Sequence, residues 1–196
     1  MRYVRSVVIA GMPASGKTTV ARMVASRLNL NYVAGGDILR EIARDRGYRP
    51  EGDGWWDSDE GRKFLMERKG NPEFDKEVDR RLRELILSGG YVATSYSMPW
   101  LLGPEVLKVW LNASPSARAA RMAKRDGIPV EDARRIIEFR DGENAQLYRA
   151  LYGYELAPNA SVFHLIIDTE SVPPVDVAEL IALYARALWG TSSETF

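Results

Sequence analysis

The sequence predicts an α/β fold, a five-stranded parallel sheet with helices on both faces, and three observations carry that reading. A short apolar run at 7–10 leads at once into Gly11-Met12-Pro13-Ala14-Ser15-Gly16-Lys17-Thr18, after which apolar residues recur at helical spacing. Further apolar runs of strand length follow, with helix-length segments between them. The connections are long enough for crossovers, which parallel strands require and antiparallel hairpins do not.

Taken in order, the first strand at 7–10 is apolar at every position, as a strand covered on both faces is. Val20, Ala21, Val24, Ala25 and Leu28 then define a helix over 18–28. A short strand at 31–34 leads into Gly35-Gly36-Asp37, and a helix over 37–46 follows. The helix at 74–88 ends at Gly89-Gly90, and a strand at 91–95 starts after that break. The strand at 107–111 ends at Asn112. Ser114 as N-cap and Pro115 in the first turn open a helix over 115–125. The break Gly127-Ile128-Pro129 separates it from a helix over 130–152. A strand at 163–167, ending at Asp168, and an apolar helix at 175–188 complete the order. Ligands of such sheets bind at the carboxyl ends of the strands. Those ends carry Gly11, Gly36-Asp37, Ser95-Tyr96, Asn112-Ala113 and Asp168.

Length and composition fit one globular domain spanning 1–196, with an apolar fraction of 45%. The 27 basic and 27 acidic side chains cancel, and no block of like charge stands out, so neither nucleic acid nor a membrane is an expected partner. The chain has no Cys, which removes disulfide, thiolate and zinc-thiolate chemistry. It shows no signal-peptide pattern and no apolar run of spanning length, so a cytoplasmic soluble protein is expected. The apolar helix at 175–188 packs either on the sheet or on another subunit, leaving monomer and homodimer both open.

The segment 11–18 is Gly, four residues, Gly-Lys-Thr, in the strand-loop-helix setting that gives such a match meaning. Its glycines let backbone N–H groups turn inward around an anion, and the helix N-terminus adds its positive dipole end. Gly11, Ala14, Ser15, Gly16, Lys17, Thr18 and Thr19 are the expected phosphate-binding set for ATP. Lys17 reaches the terminal phosphates, and the Thr18 hydroxyl is the expected Mg²⁺ ligand.

Phosphoryl transfer needs positive charge in position. Arg118, Arg121 and Arg125 recur at spacings of three and four on one helix face, and Arg140 and Arg149 follow. These are lid cations, or else an ion-paired solvated surface with Glu131, Asp132, Glu138 and Glu143. Arg40 lies one turn after Asp37, where an acceptor phosphate or plain solvent meets it. Asp37 and Asp168 each end a strand, to serve Mg²⁺ or a proton, or to cap the next helix; capping is the stronger reading for Asp168. The strand at 91–95 ends in Ser95 rather than the Asp of many phosphate-loop hydrolases. His164 reads as a packed or rim histidine. Trp110 and Trp189 read as core, and Trp55, Trp56 and Trp100 as flap core or base-stacking surfaces.

With these residues in place, the chain resembles the short archaeal cytidylate kinases, members of the P-loop nucleoside monophosphate kinase fold. The resemblance runs through GMPASGKTT, VAGGDILREIARDRG, NPEFDKEVDRRL, VWLNASPSARAARMAKRDGI and RDGENAQLYRALYGYEL. It implies an acceptor-binding flap at about 47–71, a lid at about 118–152, and a core of 1–46, 72–117 and 153–196. It implies a catalytic set of Lys17, Arg121, Arg125, Arg140 and Asp37, and an acceptor site of Asp37, Arg40, Asp75, Asp79, Ser95 and Tyr96. Three departures accompany it. Thr94-Ser95-Tyr96 stands where Glu-Gly-Arg is common, Leu147 stands where Arg is common before Tyr148, and the flap is longer by roughly ten residues around Trp55-Trp56-Asp57. The expected activity is ATP-dependent phosphorylation of CMP or dCMP. The missing arginines keep open a kinase of a nucleoside or other small hydroxyl compound, and more remotely an ATPase switch.

Overall fold

The computed structural model describes residues 3–51, 55 and 58–190. In chain order the elements are β1 (Val7–Ala10), α1 (Lys17–Leu28), β2 (Asn31–Ala34), α2 (Gly35–Asp45), α3 (Asp59–Lys69), α4 (Glu73–Ser88), β3 (Tyr91–Thr94), α5 (Met98–Leu101), β4 (Leu107–Asn112), α6 (Pro115–Asp126), α7 (Val130–Tyr152), β5 (Leu165–Asp168) and α8 (Pro174–Gly190). The five strands form one sheet in the order β2-β3-β1-β4-β5, every pairing parallel. The predicted architecture is therefore the observed one.

β1 sits at the centre, and all four of its residues are fully buried. Strand alternation divides the core. Val7, Ile9, Leu107, Val109 and Leu111 face α1 and α8, while Val8 and Ala93 face α2 and α4. α8 lays Val177, Ala178, Ile181, Ala182 and Ala185 on this sheet face beside α1. Ala10 and Trp110 lie under a third cluster, formed with the C-terminal part of α7 and the segment after it.

Two helices were not legible in the sequence. α3 lies within 47–71, which reads as an irregular polar loop; Ser58 caps it, its Oγ accepting from Gly61 N at 3.1 Å. Its anchor is Phe64, fully buried, with ring centroids 5.4 Å from Phe74, 5.3 Å from Tyr48 and 5.7 Å from Trp55. Trp55 is thus core of this insertion, its indole Nε1 donating to Glu60. Trp56 and Asp57 lie outside the described residues. α5 is a single turn, too short to show a period.

The last strand is also displaced. The ladder with β4 begins at Leu165, whereas 163–167 was the expected span. Phe163 packs edge-on against Trp100 and Trp110, and the His164 Nδ1 accepts from the Lys108 backbone N–H at 3.1 Å. His164 is a rim residue tied to the sheet. Trp110 is core, while Trp189 is only half-buried, with the Arg5 guanidinium 5.7 Å from its ring.

Gly11 is where the fold and the loop meet. Its φ is 149°, and a Cβ there would lie 2.5 Å from the Leu111 carbonyl oxygen and 2.7 Å from Ser15 Oγ. β4 passes too close for any side chain. Gly11→Ala should therefore lower the unfolding free energy by about 2–3 kcal/mol, read from urea denaturation.

Candidate active site

The turn after β1 is built by two left-handed residues, Ala14 at φ 60° and Gly16 at φ 95°, with the Ser15 N–H closing onto the Met12 carbonyl at 3.2 Å. Gly16 is the N-cap of α1 and offers no side-chain cap, so the first-turn N–H groups are left for an anion. Lys17 Nζ donates to the carbonyls of Gly11 at 2.7 Å and Met12 at 2.8 Å, and lies 4.9 Å from the Tyr96 ring centroid. Desolvation, followed by the charges of Arg140 and Arg118, brings the Lys17 ammonium down to about 7. Thr18 and Thr19, in the same turn, are exposed. A triphosphate fits this loop chemically, and the exposed Thr18 hydroxyl fits a hard cation.

α6 and α7 form a helical hairpin above the loop. Arg118 is 3% exposed and fastens it: Nη1 and Nη2 bond both Asp141 oxygens at 3.0 and 2.7 Å, Nη1 also reaches Pro13 O, and Nε donates to Ala113 O. This arginine is a structural tie. Arg121 donates to the Thr169 hydroxyl at 3.0 Å and to its carbonyl at 2.5 Å, next to Ser15. Arg125, expected on the same face, instead points outward and pairs with Asp126, its side chain 61% exposed. Arg140 is exposed, with its charge acting on Lys17 and Tyr96. Of the arginines in question, Arg125 thus matches the solvated ion-paired alternative, as do Arg134 and Arg135 further on, which lie 3.9 Å from Glu131.

A second group of side chains lies on α4. Asp75 and Asp79 are buried, at 6% and 8% exposure, one helical turn apart. Arg68, from α3, clamps Asp75 with both arms of its fork, Nε to Oδ2 at 3.1 Å and Nη2 to Oδ1 at 2.6 Å. Burial works against the Arg68 charge, but the hydrogen bonds and charge of Asp75 outweigh it and hold the guanidinium more firmly protonated. Asp79 accepts from Ser97 Oγ at 2.5 Å and from the Tyr152 hydroxyl. Burial raises the Asp79 carboxyl above its usual range, against these two bonds and with help from Asp75. Neither Arg68 nor Ser97 carried a signal in the sequence, because their partners come from other elements; Tyr152 lies in the stretch RDGENAQLYRALYGYEL, but no contact with Asp79 could be read from it.

The remaining expected residues divide. Asp37 is exposed in the first turn of α2, which starts at Gly35, and lies 3.8 Å from Arg40. The Arg40 side chain is 21% exposed, so it is not a plain surface arginine. Ser95 Oγ accepts from the N–H groups of Ser97 and Met98 at 3.2 Å, a local task at the start of α5. Asp168 accepts from Glu170 N at 3.0 Å, a turn bond. It does not cap the next helix, since α8 begins only at Pro174. Thr169, one residue on, makes the contact with Arg121 and was missed.

Tyr96 and Leu147, the two positions that depart from arginine, end in one place. Both pack against the cluster of Ala10, Trp110, Tyr148, Leu156 and Phe163. Tyr96 lies 5.7 Å from Tyr148, Trp100 stacks on Tyr154 at 4.2 Å, and the Tyr154 hydroxyl donates to the Tyr96 carbonyl at 3.3 Å. Tyr96 and Leu147 thus belong to one apolar packing unit, which borders Lys17 through Tyr96.

This sheet order, loop and helical hairpin define a P-loop phosphotransferase fold. Shikimate kinase from Acinetobacter baumannii, solved in complex with shikimate, superposes with a TM-score of 0.58 over 97% of this chain and 96% of that one, at 18% identity, a likeness of fold. The sequence profile of the Cytidylate kinase-like family matches residues 6–171. Cytidylate kinase from Methanopyrus kandleri is 36% identical over 173 residues, 83% of each chain. That from Pyrococcus horikoshii is 33% identical over 175 residues, 89% of this chain and 85% of its own. The chain belongs to the cytidylate kinase-like family.

Removing one partner of a buried ion pair leaves the other charge uncompensated. Asp141→Ala should cost about 2–4 kcal/mol of stability in urea denaturation, while Glu131→Ala on the solvated surface should cost less than about 0.5 kcal/mol.

Proposed function

We propose that this chain is a (d)CMP kinase, moving the γ-phosphoryl of ATP in line onto the acceptor phosphate to give (d)CDP and ADP. The observation that supports the reading is a run of contacts from the phosphate loop toward α4: Lys17 lies 4.9 Å from the Tyr96 ring, Tyr96 lies 5.7 Å from Tyr148, and Tyr152 of the same aromatic cluster bonds Asp79. Membership of the family supports it. The cytoplasm, where nucleotides are made, is the matching location.

In this reading Gly11, Ala14, Ser15, Gly16 and Thr19 hold the triphosphate through the loop and the first turn of α1. Lys17 leaves the Gly11 and Met12 carbonyls to meet the terminal phosphates. Thr18 would hold Mg²⁺, which supplies charge neutralisation when bound. Arg121 works from beside Thr169 and Arg140 from above Lys17, the α6–α7 hairpin serving as lid. Arg125 joins them only if closure breaks its pair with Asp126. Arg40 takes the acceptor phosphate, and Asp37 orients it. Segment 47–71 is the flap. Ser95 acts through α5, and Tyr96 walls the passage between the two substrates.

A second reading, a kinase of a neutral hydroxyl compound, rests on one observation, the apolar cluster at Tyr96 and Leu147. Incubation with ATP, Mg²⁺ and CMP, dCMP, UMP, AMP, cytidine or uridine, with products resolved by chromatography, separates the two. CDP and dCDP are expected. Nucleoside monophosphates formed from cytidine or uridine would establish the second reading instead.

Arg40→Ala should lower kcat/KM for CMP by at least ~10²-fold, the loss of one charged contact. A small, equal loss on every acceptor would remove Arg40 from the site. A further consequence follows from Lys17, whose pKa of about 7 leaves it mostly neutral near pH 8. Triphosphate charge restores the ammonium, so ATP binding should take up ~0.5–1 proton there. Calorimetry in buffers of different ionisation enthalpy reads this directly, and Lys17→Met should abolish it.

A further inference from the structure

We propose that Tyr96 is a positioning residue for Lys17: the face of its ring holds the ammonium over the phosphate loop before a nucleotide arrives, so that ATP meets a cation already in place. The inference rests on the ATP-binding role proposed for the loop and adds to it a residue from another part of the chain.

The first support is the geometry around the ammonium. It donates to Gly11 O at 2.7 Å and to Met12 O at 2.8 Å, which leaves an N–H of the group for a further partner. The same nitrogen lies over the Tyr96 ring, 4.9 Å from its centroid. That is inside the reach of about 6 Å over which the negative face of a ring attracts a cation.

The second support is that the ring is fixed independently of the lysine. The Ser95 N–H donates to Ile9 O at 3.3 Å, and the Tyr154 hydroxyl donates to the Tyr96 carbonyl at 3.3 Å, so the backbone is held on both sides. Tyr148 packs on the ring with centroids 5.7 Å apart, within the cluster built on Ala10 and Trp110. A lysine stem is flexible by contrast, and ordering it costs rotamer entropy. A preset ring orders the stem in advance, and such pre-organisation strengthens binding without any new contact to the ligand.

Charge is the third support. Arg140 and Arg118 act on Lys17 from the α6–α7 hairpin, with Asp141 opposing them. An ammonium between like charges is pushed away from them. The ring attracts it through the quadrupole and adds no charge of its own, whereas an arginine at 96 would bring a further cation toward it.

The test reads the contact first and its use second. In the nucleotide-free protein the ε-CH2 protons of Lys17, assigned by their loss in Lys17→Met, should resonate upfield of the other lysines through the ring current of Tyr96. Tyr96→Phe should keep that shift and Tyr96→Leu should lose it. Phenylalanine and its mono-, di- and trifluoro forms are then placed at 96 by nonsense suppression. Fluorine weakens the negative face of the ring and leaves its shape nearly unchanged. The Kd for ATP, read by calorimetry without acceptor, should rise stepwise with each fluorine, by about 3–10-fold over the series. Tyr96→Phe should match the wild type, and the melting temperature should stay level across the series, as lost packing would not allow. A Kd that ignores fluorine content or falls with it would overturn the proposal, as would a Lys17 resonance unmoved by Tyr96→Leu. A wild type that binds no ATP would overturn the nucleotide reading itself, an outcome visible before any variant is made.

Discussion

The carboxyl edge of this sheet depends on one buried cation. Arg118 touches the phosphate loop at Pro13, the end of β4 at Ala113, and α7 at Asp141. Three pieces of chain that meet nowhere else in sequence are thereby held in one geometry. A buried guanidinium is tolerated only when its donors are met and its charge is paired, and here both conditions hold. Lys17 shares this neighbourhood, and its lowered pKa comes first from its burial and then from the charges of Arg140 and Arg118.

The acceptor side handles the opposite problem. Two carboxylates are buried a turn apart on α4, where mutual repulsion and desolvation both act against their charge. Each is satisfied by a different element, Asp75 by α3 and Asp79 by α5 and the end of α7. The insertion is therefore more than a lengthened loop. It brings a cation to Asp75, the buried carboxylate that Ser97 and Tyr152 do not reach.

The strands were legible because a buried parallel sheet needs runs such as Val7-Val8-Ile9-Ala10, and the phosphate loop because its backbone conformation needs glycine at Gly11 and Gly16. The Ser114-Pro115 start of α6 was legible for the same kind of reason: a local bond, Ala117 N to Ser114 Oγ, sits behind a local pattern. What could not be read were contacts between distant segments. Arg68 resembles any charged residue of a polar stretch until α3 is seen to end beside Asp75. Arg118 and Arg125 are a helical face apart from nothing in the sequence, yet one is enclosed and the other faces water. α3 itself was hidden because its burial rests on Phe64 and a few aromatic partners rather than on a sustained apolar period.

Tyr96 and Leu147 sit against the same aromatic cluster, although the chain separates them by most of α6 and α7. A guanidinium placed at either position would enter a wall made of rings and aliphatic carbons that offers its donors few partners. The two positions share one packing environment, so changes made at both should not simply add: what one side chain vacates, the other can fill.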